Sequence, residues 1–429
     1  MARDSPVCCI VPEYLLRGIA ESSANSDDHR QCARESLAYH RTYCSARKER
    51  FAALTLPRGS QQHPHNAARQ SIVPEQMLRH IAEADDVDDE TKSRARAQLE
   101  DLQKAIGSYK AQQGIAGDQS QKTLASAARK TQPDDGGHFW RAVYDAQHSS
   151  SEARLPGKVI RIEGQGPSKD KAVNEAFDNV GKVLDFYLTI FKWRSIDNNN
   201  MHVLSSVHFA KNYENAFWDP QKMQMVFGDG GQMLYNFTKC IDVIGHEMTH
   251  AVTEHTSPLD YEGQSGALNE HVSDVFGIMV KQKVEDETAE KADWLIGEGC
   301  LLPDIKGVAL RSMKAPGTAY DDPRMGKDPQ PDNFSGYYQT EEDEGGVHIF
   351  SGIPNKAFYL ASVAFGGYSW EKAGQVWWKA LNSGRIPAKC TFLQFADVTV
   401  DVAEELYQEE GAKIVRDAWN EVGVVRKGH

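Results

Sequence analysis

KCIDVIGHEMTHAVTEH, residues 239–255, is the stretch whose reading decides the fold. Ile241, Ile244, Met248 and Ala251 recur at helical spacing and give one apolar face. On a helix, positions i and i+4 lie one above the other. His246 and His250 therefore project to the same side, about 6 Å apart at Cβ, close enough to share a metal ion. Glu247 follows the first histidine directly and can reach a water held by that ion. Two imidazoles, an open position and a carboxylate base form the set a zinc hydrolase needs.

Catalytic zinc takes three protein ligands. Twenty residues beyond His250, GALNEHVSD (266–274) offers Glu270, and Glu270 and Asp274 are again i and i+4 on a predicted helix. The loop 255–267, with Pro258, Gly263 and Gly266, is long enough to turn the chain back. Glu270 is then the third ligand, and Asp274 orients His246 from behind. His271 is the alternative third ligand by residue type.

The chain has 429 residues, 40% apolar and 25% charged, with a net charge of −13. This is ordinary globular usage. Its acidity argues against nucleic-acid binding, which demands a basic face. No apolar run approaches the ~20 residues needed to cross a membrane. MARDSPVCCIVPEYLLRG, residues 1–18, lacks a continuous apolar core, so a standard secretory signal is not expected. The seven cysteines, at 8, 9, 32, 44, 240, 300 and 390, are odd in number and form no CxxC pair. They read as free thiols in a chain not built around disulfides.

Charge divides the chain. Residues 1–137 hold 19 basic and 19 acidic residues, so the whole excess of acid lies beyond them. The neutral part contains a repeat at a shift of 62 residues. Ile10-Val11-Pro12-Glu13 returns as Ile72-Val73-Pro74-Glu75, Leu16-Arg17 as Leu78-Arg79, and Ile19-Ala20-Glu21 as Ile81-Ala82-Glu83. Each copy reads as a proline-started helix, followed by a second amphipathic helix over roughly 28–50 or 89–112. Polar linkers run over 56–70 and 112–137. Beyond 138, KVIRIEG (158–164) and VLSSVHFA (203–210) read as strands, MQMVFGDGG (223–231) as a strand ending in a Gly-rich turn, residues 171–191 as a long helix, and the chain from about 239 as mainly helical.

HEMTH, GALNEHVSD, NAFW (215–218), VALRSMKAP (308–316) and GGVHIFSGIPN (345–355) together resemble the thermolysin family of neutral zinc metallopeptidases over essentially all of 138–429. The IVPEYLL segment resembles the short prodomain of the protealysin-like branch. It has Val-Pro-Glu where that branch often carries Pro-Pro, and two copies in place of one. The resemblance implies an α+β, two-lobed zincin: a β-rich N-terminal lobe with the zinc helix (138–252) and an α-helical C-terminal lobe (253–429). A helical prodomain would precede it, with one repeat in 1–60 and the second, with its linker, in 61–137.

By this resemblance His246, His250 and Glu270 bind one zinc ion and Glu247 is the general base and acid. His348 would stabilise the oxyanion, helped by Tyr261 and oriented by Asp343. Arg311, Asn215 and Ala216 would hold the peptide backbone in the manner of an added strand. Leu234, Phe237, Val243, Ile296 and Leu310 resemble the walls of the pocket for the residue after the cleaved bond, so a hydrophobic residue such as Leu or Phe is expected there. Phe350 departs from the family's usual Asn.

Asp242, Asp293 and Glu298 stand where the family's calcium ligands lie, although Leu295 replaces a further acid and residues inserted around 283–290 blur the rest. Calcium is left open. The expected partners are peptide or protein substrates and the chain's own prodomain, with Ile10-Val11-Pro12 or Ile72-Val73-Pro74 as an apolar plug. A Cys8-Cys9 thiolate on the metal is a second version of that lock. A monomer is expected, with no nucleic acid and no membrane. The family implies export by a non-classical route. The competing reading is an uncleaved intracellular peptidase whose duplicated region is a permanent interaction module.

Overall fold

The computed structural model describes residues 10–38, 139–151, 154–211, 213–219, 222–231 and 234–425. The chain forms two compact units, residues 1–51 with 133–429, and residues 52–132. The second repeat, with Ile72, Val73 and Pro74, lies outside the described residues, as do Cys8 and Cys9.

The first repeat opens with helix α1 (Glu13–Glu21), entered through Pro12 in an extended conformation. Its apolar stripe, Leu15, Leu16, Ile19 and Ala20, is buried. A second helical run is described over 27–38, where Ala33 is also buried. This pair docks on the body of the molecule rather than standing alone. The Ser22 Oγ donates to the Pro323 carbonyl at 2.7 Å, and the Asn25 amide donates to the Arg324 carbonyl at 2.8 Å.

Strands β1 (Arg141–Asp145), β2 (Lys158–Ile162), β3 (Val203–Val207), β4 (Ala216–Asp219) and β5 (Gln224–Phe227) form one mixed sheet in the order β2-β1-β3-β5-β4. β1, β3 and β5 run parallel, whereas β2 and β4 are antiparallel to their neighbours at the two edges. The strand expected over 203–210 stops at Val207, because His208 and Ala210 take positive φ values of 56° and 52°. That expected over 158–164 stops at Ile162, before a turn at Gly164.

Helix α2 (Lys171–Phe191) matches the expected 171–191. Asp170 caps its start by accepting from the Val173 N–H, and Lys192 ends it in the left-handed region. Val173, Phe177, Val180, Leu184 and Tyr187 are buried, and the Tyr187 hydroxyl bonds Thr249 at 2.7 Å on the next helix.

Helices α3 (Ile241–His255) and α4 (Gly263–Glu285) form the centre of the molecule. A Cβ at Gly245 would stand 3.0 Å from the Gly277 Cα, and one at Gly277 would stand 2.5 Å from the Asp242 carbonyl oxygen. Hydrogen at both positions lets the two backbones approach closely enough for side chains of α3 and α4 to share one centre. α4 is buried on every side from Ser265 to Gln282, as befits a core helix.

Beyond it come α5 (Asp343–Phe350), α6 (Gly352–Phe365), α7 (Ala373–Leu381) and α8 (Phe392–Glu421). Thr391 and Gln394 make a reciprocal capping box at the start of α8. Trp377 stacks on Trp419, with ring centroids 6.3 Å apart, to close the core of this lobe. The part after 239 is not wholly helical. β6 (Leu295–Ile296) pairs with β7 (Arg311–Ser312), and β8 (Asp321–Asp322) with β9 (Gly326–Lys327).

Candidate metal centre and cleft

His246 and His250 lie on α3 and Glu270 on α4, all fully or almost fully buried. One ligand atom from each lies within 4.8 Å of the others, the one such cluster of metal-binding donors among the described residues. The two Nε2 atoms are 3.0 Å apart. Each ring is fixed from behind: His246 Nδ1 donates to Asp274 Oδ1 at 2.8 Å, and His250 Nδ1 to Asn269 Oδ1 at 2.8 Å. With the protons committed to Nδ1, both Nε2 lone pairs face the same point. Glu270 Oε2 is buried without a hydrogen bond, 3.4 Å from His246 Nε2. Facing lone pairs and a buried carboxylate oxygen would repel one another without a cation, so the donor set fits a metal ion.

His271 does not join the cluster. Its Nδ1 donates to Asn355 Oδ1 and its Nε2 accepts from the Trp377 indole, both at 2.8 Å. Burial pushes its pKa down to about 4, so it is a neutral core residue. The alternative third ligand is thereby removed.

Glu247 is fully buried beside the triad, and its Oε2 accepts from the Trp218 N–H of β4 at 3.2 Å. The edge strand thus steadies this carboxylate. Asp274 does more than orient His246. It takes a bidentate ion pair from Arg311, with Nη2 to Oδ1 at 2.7 Å and Nε to Oδ2 at 2.9 Å, and a third donor from Asn355 at 2.8 Å. Burial opposes its ionisation, but the Arg311 charge and the His246 contact outweigh it and hold the carboxyl far below its usual range.

On α5, residues 343–346 all take positive φ: Asp343 49°, Glu344 52°, Gly345 85° and Gly346 78°. This left-handed turn folds Asp343 back so that Oδ2 accepts from the His348 N–H at 2.8 Å and Oδ1 from His348 Nδ1 at 2.6 Å. His348 Nε2 then points to the triad, 3.4 Å from Glu270 Oε2 and 3.3 Å from the Tyr261 hydroxyl. Burial lowers the His348 pKa, but the Asp343 and Glu270 charges raise it on balance. Tyr261 itself donates to Glu270 Oε1. Phe350 is fully buried and turned against the Tyr337 and Tyr338 rings, with centroids 4.5 and 5.0 Å away.

The first repeat lies across this centre. Arg311 Nη1 donates to the Ile10 carbonyl at 3.0 Å. The Asn215 side chain brackets Val11, accepting from its N–H and donating to its carbonyl, both at 3.1 Å. Ile10 and Val11 are fully buried and belong to the same apolar cluster as Leu234, Phe237, Val243, Ile296 and Leu310. Ala216, next to Asn215, is the first residue of edge strand β4. Tyr14 of α1 is partly buried against the same cluster. Thus Ile10 and Val11 sit on Arg311 and Asn215, while Pro12 caps the start of α1.

The acids suggested for calcium are differently engaged. Lys281 of α4, almost fully buried, donates to Asp293 Oδ2 at 2.9 Å, Glu298 Oε2 at 2.8 Å and the Leu295 carbonyl at 3.4 Å. Asp242 accepts from the Gly297 N–H at 2.6 Å and adds its charge to the Lys281 ammonium. These residues do not fit calcium: the cation among them is a side chain. Lys281, Asn269, Asn355 and the Trp218 N–H went unnoticed in the sequence. Asn269, Asn355 and Trp218 lay within the quoted motifs GALNEHVSD, GGVHIFSGIPN and NAFW, whereas Lys281 lay in none.

Comparison with known proteins agrees with this geometry. The family described as "Thermolysin metallopeptidase, alpha-helical domain" matches residues 257–424, "Thermolysin metallopeptidase, catalytic domain" residues 93–254, and "Protealysin propeptide" residues 70–114. The propeptide match falls on the second repeat, whereas the first repeat is the one described in the cleft. The chain is 48% identical over 285 residues to "Extracellular metalloprotease" of Pectobacterium carotovorum subsp. carotovorum, covering 66% of this chain and 81% of that protein. It is 46% identical over 287 residues to "Protease PrtS" of Photorhabdus sp. (strain Az29), covering 66% and 76%. Among solved structures, "Precursor of Protealysin, Metalloproteinase from Serratia proteamaculans" aligns with a TM-score of 0.66 at 45% identity, covering 82% of this chain and 99% of that one. The chain belongs to the thermolysin family of metallopeptidases.

Proposed function

We propose that the protein is the proenzyme of a zinc endopeptidase, acting outside the cell, that cleaves peptide bonds on the N-terminal side of hydrophobic residues. One observation carries this reading: Ile10-Val11 lies on Arg311 and Asn215 as a peptide would, beside a converging His246–His250–Glu270 donor set. The names of the relatives, extracellular metalloprotease among them, support the setting.

When bound, zinc supplies Lewis acidity that polarises a carbonyl and makes water acidic near neutral pH. The chain's own residues do the rest. Glu247 takes a proton from the attacking water and returns it to the leaving amine. His348, its Nδ1–H held by Asp343 and its doubly protonated form favoured by the Asp343 and Glu270 charges, donates from Nε2 to the developing oxyanion, with the Tyr261 hydroxyl beside it. Arg311 holds the carbonyl of the residue after the scissile bond, and Asn215 brackets the next residue, as they hold Ile10 and Val11. The apolar side chains 234, 237, 243, 296 and 310 receive the residue after the cut.

The test is incubation of the full chain with zinc, followed by N-terminal sequencing of the stable product. Loss of the N-terminal region with a rise in activity is expected, and a Glu247→Ala chain should remain intact. A Glu247→Ala chain that still processes itself, or a wild-type chain that stays whole and active, would overturn the proenzyme reading. Cleavage of a peptide mixture should occur before Leu, Ile or Phe. Cuts before charged residues would overturn the specificity.

A further inference from the structure

Cys240 and Cys300 are 60 residues apart in sequence, yet their Sγ atoms stand 2.7 Å apart, closer than unbonded sulfurs rest against each other. Both are buried. The backbone on each side is already fixed. The Cys240 N–H donates to the Phe237 carbonyl at 3.1 Å, and the Cys300 N–H to the Gly297 carbonyl at 3.1 Å. The Cys300 carbonyl accepts from the Tyr235 N–H at 2.8 Å, and Leu301 bridges Leu234. The folded backbone thus already holds the two sulfurs side by side.

We propose that Cys240 and Cys300 form a disulfide that ties the first turn of α3 to the segment 296–301. This modifies the reading of all seven cysteines as free thiols. The place gives the bond a purpose. Cys240 caps α3, the helix that carries His246, Glu247 and His250. Cys300 follows Ile296, which the pocket proposal uses, and Gly297, whose N–H holds Asp242 in the first turn of α3. The bond would lock the metal helix to one wall of the cleft, beside the ionic tether from Lys281 to Asp293 and Glu298.

The oxidant is a low-molecular-weight disulfide such as oxidised glutathione. One cysteine thiolate attacks it, forming a mixed disulfide and releasing one reduced thiol. The second cysteine sulfur then attacks the mixed disulfide and releases the second thiol. Two protein thiols and one disulfide become one protein disulfide and two small thiols, so atoms and electrons balance. The contact with Cys240 and burial both hold Cys300 in the thiol form once the core is closed, so the bond is made during folding.

The test uses the full chain carrying Glu247→Ala, refolded with zinc in a mixture of reduced and oxidised glutathione, then alkylated in denaturant and digested without reduction. The expected result is a linked pair of peptides containing Cys240 and Cys300, two hydrogens lighter than their sum and separable by reductant. Reduction should lower the Tm by about 5 °C or more, a loss absent from a Cys240→Ala, Cys300→Ala chain. Alkyl label on both cysteines after refolding, or either one linked to a different cysteine, would overturn the proposal. The peptide readout uses the wild-type cysteines, so it decides the matter even where the double variant fails to fold. It is also independent of peptidase activity.

Discussion

Helix α3 has a cluster of ionisable groups at each end of its functional half, and the two solve the same problem differently. Around Asp242, acids from α3 and the 293–298 segment gather about Lys281, a cation supplied by the chain. One to two turns later, His246, His250 and Glu270 turn lone pairs toward one point with no side-chain cation among them. A cluster that contains its own counter-charge is closed and can only hold the fold together. A cluster that lacks one must recruit an ion and can offer it an open position. The contrast separates structural from chemical use of acidic residues within one helix. It also explains why counting acids near the zinc motif overstates the case for calcium.

The sharpest break in the comparison is Glu247→Gln. It should lower kcat about 10²–10⁴-fold while metal content and Tm stay near wild type, measured by peptide hydrolysis and elemental analysis. A large loss of stability would put Glu247 in the structural class instead. Asp274→Asn comes next, because Asp274 serves both ends: it fixes His246 and neutralises buried Arg311. Metal affinity should fall about 10–100-fold, and stability by about 3–5 kcal/mol as the guanidinium loses its counter-charge. Denaturant unfolding with and without zinc separates the two effects.

Lys281→Met should cost roughly 2–3 kcal/mol, less than a fully buried pair because Asp293 and Glu298 reach solvent. Millimolar calcium should leave the wild-type Tm unchanged and raise that of this variant. A calcium-dependent rise in the wild type would show that Lys281 does not complete its cluster. The smallest effect is expected at His208, held between Asp229 and Asp170 at 2.7 and 2.9 Å. Its hydrogen bond to Asp229 leads the causes that raise its pKa to about 9. Its contribution is therefore complete below the unfolded value near 6.5 and is lost as pH rises through about 9. His208→Gln should lower the Tm at pH 6 and leave it little changed well above pH 9.

Much of this was legible before any coordinates. The i, i+4 spacing placed His246 over His250 and Glu270 in line with Asp274, because helix geometry is local and needs only the sequence. The 171–191 helix was readable for the same reason. The ends of β2 and β3 were not, since they depend on positive-φ residues whose conformation the apolar alternation does not report. Lys281 was hidden because lysine on a helix reads as a solvated face. Only the packing of α4 against 293–298 makes it a buried ion-pair centre.

The sequence by itself determined the metal-binding pattern, the carboxylate beside it, the charge division at 137 and the repeat at 62 residues. These are matters of composition, periodicity and short spacing. Tertiary structure alone decided that Ile10 and Val11 lie on Arg311 and Asn215, that His271 faces Trp377 instead of the metal, that Lys281 stands among the acids, and that Cys240 meets Cys300. These contacts join residues from 12 to 301 positions apart. Their meeting is fixed by how the helices and sheet pack, which no local pattern encodes.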